Sequence, residues 1–170
     1  KATINHNATI DVTLWENLNI YASYDYYKNP ILLSGVQDTD KPGIIIFTPI
    51  NIDKSEEWDI GVSYNKEWNW FGLSVDAGVT FPNVKIPFMG SVLKRKTESY
   101  YFQVSTDFTI TKNTFLSLNY NYQSKSIDLM TNFTASQDLS ASLTQYFFKR
   151  KLSINLSVND ILRKSYSDWF

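Results

Sequence analysis

Five aspartates, Asp11, Asp25, Asp59, Asp76 and Asp107, occupy polar positions of segments that alternate apolar and polar residues. Carboxylates on one shared face could attract cations or line a path for a solute. Hydrogen bonding of each to neighbouring Ser, Thr or Tyr is the expectation favoured over direct solute contact. The other candidate residues offer less. His6 is the single histidine, so it cannot build a metal cluster, and its parity places it on an apolar side as an interfacial or paired ring. Glu56 and Glu57 are adjacent in an alternating segment; they point to opposite faces, which argues against shared acid–base work. Lys94-Arg95-Lys96 is a basic run in a loop, where a solvated charge run is the commoner state. Without cysteine, there is neither disulfide nor thiolate chemistry. With no Gly-rich phosphate loop and no catalytic constellation, the chain is not expected to be an enzyme, and no cofactor or metal site is expected.

The elements that must position these aspartates are β-strands. Ala2, Ile4, His6, Ala8, Ile10, Val12 and Leu14 take one side, while Thr3, Asn5, Asn7, Thr9, Asp11 and Thr13 take the other. Alternation with period two is the signature of a strand with one apolar and one polar face. Its recurrence predicts about eight strands, at 2–14, 18–27, 44–65, 70–81, 99–111, 114–122, 133–147 and 151–162. Pro49 cannot donate to a ladder, so the third should bend or break there. The predicted fold class is all-β, an antiparallel up-and-down meander.

The polar face carries Ser, Thr, Asn, Asp, Gly and Tyr with almost no Lys, Arg or Glu, unlike a sheet face turned to water. Lysines and arginines fall in turns, loops and strand ends, as expected where Arg or Lys facing lipid at mid-depth costs about 2–4 kcal/mol. No apolar run approaches the roughly 18 residues of a transmembrane helix. Only helices and closed barrels satisfy the backbone in lipid, so the pattern predicts part of a transmembrane β-barrel, apolar face to lipid and the five aspartates facing the lumen. A net charge of −1 gives no case for nucleic acid. A soluble ligand-carrying barrel with its apolar face inward is an open alternative, because alternation does not say which face is inside.

Short turns at Trp15–Asn17, Lys66–Asn69, Thr111–Asn113 and Phe148–Lys151 alternate with long connections at Lys28–Gly43, Pro82–Glu98 and Gln123–Asn132. Short periplasmic turns and long outer loops are the habit of outer-membrane barrels. Aromatics cluster at both levels: Trp15, Trp68, Trp70, Tyr146 and Phe147 by the short turns, and Tyr24, Tyr26, Tyr27, Tyr100, Tyr120 and Tyr122 by the long loops. Two interfacial belts would look like this. In the outer loops, Lys94-Arg95-Lys96 could meet lipopolysaccharide phosphate or an anionic solute, and Tyr26-Tyr27 and Phe88-Met89 could touch a ligand at the mouth, though interfacial anchoring is the expectation for the latter. Four short turns and three long loops put both chain ends on the long-loop side, the inverse of a closed eight-stranded barrel, so a piece of a larger barrel is expected.

Asn5-His6-Asn7 opening a strand, Tyr21–Tyr27 (YASYDYY) followed by Lys28-Asn29-Pro30-Ile31, and Ser157-Val158-Asn159-Asp160-Ile161-Leu162 resemble TonB-dependent outer-membrane receptors of the Bacteroidota-type outer-membrane β-barrel family. The resemblance spans nearly the whole chain, and by it residues 1–170 form a single segment of barrel wall. It implies a barrel of about 22 strands closed by an N-terminal plug, importing scarce nutrients with energy from TonB. It also implies that the chain is the C-terminal segment of the wall, with the plug and final strands absent; Arg163–Phe170 is too short for another span. The partners implied are outer-membrane lipid, the plug domain and TonB through the missing part of the parent chain, and a surface lipoprotein. A small stand-alone eight-stranded barrel with a structural or adhesive role is the alternative.

Overall fold

The structure is a computed structural model that describes residues 2–38, 40–41, 43–128 and 131–164. Thirteen strands lie among them: β1 (Ile4–Trp15), β2 (Leu18–Lys28), β3 (Ile31–Gln37), β4 (Ile45–Asn51), β5 (Lys54–Glu67), β6 (Phe71–Phe88), β7 (Ser91–Arg95), β8 (Ser99–Thr111), β9 (Thr114–Gln123), β10 (Ser126–Asp128), β11 (Thr131–Phe133), β12 (Ser136–Phe147) and β13 (Leu152–Val158). Eight of them form one antiparallel meander in the order β1-β2-β5-β6-β8-β9-β12-β13, and β7 pairs with the outer end of β6. β3 with β4, and β10 with β11, make two separate two-stranded sheets at the long-loop end.

The register aligns the two faces of all eight strands. Starting from Ile10, the opposed residues run Ala22, Ile60, Val79 and Tyr100; starting from Asp11, they run Tyr21, Gly61, Gly78 and Tyr101. Because the side-chain period is two, one continuous apolar face and one continuous polar face result. Two irregularities occur at short turns. A register shift sets Trp15 opposite Leu18, on the apolar side, and another sets Thr111 opposite Thr114, whose hydroxyls lie 2.7 Å apart.

Among the described residues nothing covers the apolar face. Among the described residues the buried hydrophobic side chains are Ile52, Val84 and Ile86, whereas Ile10 is 68% and Leu156 64% exposed. Strands β1 and β13 are exposed along their whole length. At the short-turn end Phe71 packs against Trp68 at 5.5 Å and Phe108 at 4.9 Å between ring centres; at the other end Tyr24 packs on Trp58 at 4.6 Å. Aromatic rings thus bound the apolar face at both levels.

Three sequence expectations need correction. The segment 44–65 is two strands in different sheets, and the break is at Ile52-Asp53, not at Pro49, which stays in β4 opposite Leu33. Lys28–Gly43 contains β3, and Pro82–Glu98 holds the tip of β6 with β7, because β6 runs 18 residues through Pro82. The last strand stops at Val158. There Asn159 and Asp160 turn the chain: Asp160 adopts a φ of 50°, its carboxylate accepts from the Lys164 amide at 3.1 Å, and its carbonyl accepts from the Arg163 amide at 2.9 Å. Asp tolerates this left-handed conformation better than a branched residue would. Arg163-Lys164 is described, and the remainder of the Arg163–Phe170 string lies outside the described residues.

Candidate functional site

The polar face of β1, β2, β5, β6, β8, β9 and β12 gathers the aspartates, each seated by a strand whose alternate residues form the apolar face. Asn19 donates to Asp11 at 2.8 Å, Asn7 to Asp25 at 2.9 Å, Thr80 to Asp59 at 2.5 Å and Ser117 to Asp107 at 2.5 Å. Each donor stands on the neighbouring strand, so these bonds tie the ladder laterally. Asp76 lies opposite Ser63 and Gln103. The structure therefore brings all five onto one face but spreads them over five strands, with no shared carboxylate pair. Asp138, of the same parity and accepting from Ser140 at 2.8 Å, belongs with them. Its signal was in the sequence, since Ser136, Asp138, Ser140 and Ser142 alternate with Gln137, Leu139 and Ala141.

At mid-height Tyr21, Gly61, Gly78 and Tyr101 follow one another across β2, β5, β6 and β8. The two phenols lean over the glycines from opposite sides and meet with their hydroxyls 2.5 Å apart. Two strands are thereby roofed by rings. Beside Tyr101, a trough of about 350 Å³ is lined on the polar side by Gln103, Asn121, Gln123, Ser136 and Asp138. Hydroxyls, amides and one carboxylate there could hydrogen-bond a polar solute. Among the described residues, no three His, Cys, Asp or Glu side chains converge as a metal group.

Above this level the face changes character. Val84 and Ile86 continue the polar-face parity of β6 but are apolar, and the β3–β4 hairpin folds onto them, burying Ile52, with Leu32 and Ile50 packed alongside. The Ser34 hydroxyl donates to the Pro87 carbonyl, and the Met89 amide donates to the Gly35 carbonyl at 3.0 Å. A hairpin thus sits on the polar-face side of the mouth, where the sequence alone suggested a loop.

The remaining candidates lie elsewhere. His6 is on the apolar face near the long-loop end, its ring 6.0 Å from that of Tyr26. Glu56 and Glu57 do diverge. Glu56 reaches the outward rim and accepts from Lys54 at 2.8 Å and from Asn83 at 2.6 Å. Lys94-Arg95 closes β7 and Lys96 follows it, on the β6–β7 hairpin beyond the belts. Phe88 packs where a side chain at Gly35 would stand.

The sequence agrees with this geometry across almost its full length: the family model of the outer membrane protein beta-barrel family matches residues 1–168. No curated protein and no solved structure matches the chain at a significant level.

Proposed function

The chain belongs to the outer membrane protein β-barrel family, and with it to the bacterial outer membrane; on that premise we propose that it is a wall segment of a TonB-dependent receptor importing a scarce nutrient. The observation that carries this reading is the pair of unpaired edges. Among the described residues β1 and β13 each have one hydrogen-bonded neighbour strand, and neither pairs with the other. A bilayer does not tolerate an open sheet edge, since each unmatched backbone group costs several kcal/mol there. Further strands alongside β1 and β13 satisfy both edges.

The polar face supports the same reading. Its aspartates bond to adjacent strands, and its two central tyrosines lie along the wall instead of projecting from it. A wide lumen with a smooth, hydrogen-bonding wall suits a plug domain seated inside, gated through TonB, with a surface lipoprotein at the mouth as a further partner. The soluble carrier reading fails with the family assignment, and the uncovered apolar face agrees.

One observation favours a second reading, a stand-alone eight-stranded barrel with a structural or adhesive role. The eight strands of the meander are even in number, so β1 and β13 run antiparallel and closure of one onto the other is stereochemically allowed. The intact mass of the native protein in a detergent-solubilised outer-membrane fraction decides between them. A mass several times the 19.7 kDa of this chain is expected. A mass near that value would sink the importer reading in favour of the closed small barrel.

A further inference from the structure

The outward rim carries a row of lysines that neither reading uses. Lys28 lies opposite Lys54 across β2 and β5, and Lys85 lies opposite Lys94 across β6 and β7. The Ser55–Val84 pair makes Lys54 and Lys85 next in line on β5 and β6. With neighbouring strands about 4.8 Å apart, four lysines of one parity stand in one row across four adjacent strands. Lys96, two residues beyond Lys94, adds a fifth on the same side. All five are exposed. Lys54, Lys85 and Lys96 line a shallow pocket of about 180 Å³ with Asp53 and Asn83.

Like charges directly opposite across a ladder destabilise it. Glu56, bonded to Lys54 at 2.8 Å, offsets one charge of the five. The row therefore favours an anion with more than one charged group. Its place says which kind. It lies on the apolar side of the sheet, one outward-facing pair beyond Tyr26 and two beyond Trp58 and Phe81, the rings that close the aromatic belt. That is the level of lipid headgroups. An anionic solute in the lumen would instead meet the face that carries Asp11, Asp25, Asp59, Asp76, Asp107 and Asp138.

We propose that the lysine row Lys28, Lys54, Lys85, Lys94 and Lys96 binds the phosphate groups of a phosphorylated outer-leaflet lipid. Several phosphates on one headgroup match several ammonium groups in a line, while the acyl chains lie against Trp58 and Phe81. The inference rests on the apolar face being outward and the long loops being extracellular. It does not depend on transport, so an importer reading that failed by mass would leave it intact.

The native full-length protein, purified in detergent, is loaded with bis-phosphorylated lipid A and washed, and the bound lipid is measured by native mass spectrometry. Retention is expected to fall on the order of a hundred-fold in the Lys85→Gln/Lys94→Gln/Lys96→Gln variant, at about five-fold per lysine near a charged surface. Heat-modifiable gel migration checks that this variant is folded, and the corresponding Lys→Arg variant should keep the lipid. A comparison without any variant uses lipid A stripped of phosphate, which the unaltered protein should not retain. Equal retention of the stripped lipid, or undiminished retention by the folded Gln variant, would overturn the proposal. So would inorganic phosphate alone binding as tightly as lipid A, since the site would then be one for a free anion.

Discussion

At Gly78 a β-carbon would stand 2.5 Å from Cε1 of Tyr101, and at Gly61 another would stand 2.5 Å from Cε1 of Tyr21. Both approaches are to ring atoms packed flat on the strand, so any side chain there must lift a phenol and part the hydroxyl contact. Gly78→Ala is expected to lower stability by about 1–3 kcal/mol, the range for overpacking a fitted site. Tyr101→Phe, which keeps the ring and removes the hydroxyl, should lose only about 0.5–1.5 kcal/mol. Guanidinium unfolding of the protein refolded into vesicles measures both; an Ala variant as stable as the unaltered chain would show that the rings do not need the glycines. This arch was half legible in the sequence. Tyr21, Gly61, Gly78 and Tyr101 each have polar-face parity, but which residue faces which depends on register, and register is set between strands. The aspartates follow the same rule: their common face was readable from alternation, while Asn19, Asn7, Thr80 and Ser117 as their donors were not.

Strand identity survived the passage from pattern to structure best where both faces are distinct, as in β1, β2, β8 and β9. It failed at the long-loop end, where Ile44-Ile45-Ile46-Phe47 merges with the strand that follows and Val84-Lys85-Ile86 reads as loop after Pro82. The cause is tertiary. β3 and β4 are two-stranded and owe their place to the fully buried Ile86, together with Val84 and Ile52, and docking of the hairpin onto a distant part of the chain, as Ser34 on Pro87 and Gly35 on Met89, leaves no local mark. Ile86→Ala removes the most buried side chain of that cluster and should weaken hairpin docking by about 2–4 kcal/mol. Ile86 stands on β6 beyond the pairings of that strand with β5 and β8, so the eight-stranded sheet should remain folded. Limited proteolysis should then cut the β3–β4 connection faster in the variant, while heat-modifiable migration of the whole protein stays unchanged. Equal cutting rates would mean that the Ile86 contact does not hold the hairpin.

For the molecule as a whole, the governing choice is which face meets lipid, and it was the one choice that alternation could not make. An apolar face outward and an apolar face inward give the same string of residues. What separates them is the missing cover: a soluble barrel would bury Val62, Val75 and Leu118 against something, and among the described residues the outward sheet face has no second layer. Ser74 and Val75 turn that difference into a measurement, because they are adjacent in β6 and point to opposite sides. Placing Arg at position 75 sets a charge among apolar side chains midway between the aromatic belts, where the cost against lipid is about 2–4 kcal/mol. Placing Arg at position 74 sets the same charge beside Ser105 and Asn65, on a face already rich in carboxylates, and should cost under about 1 kcal/mol. Refolding into vesicles with denaturant titration compares Val75→Arg with Ser74→Arg. If the cost falls on position 74 and spares 75, the two faces are exchanged, and both the lumenal aspartates and the lysine row at the lipid rim lose their basis.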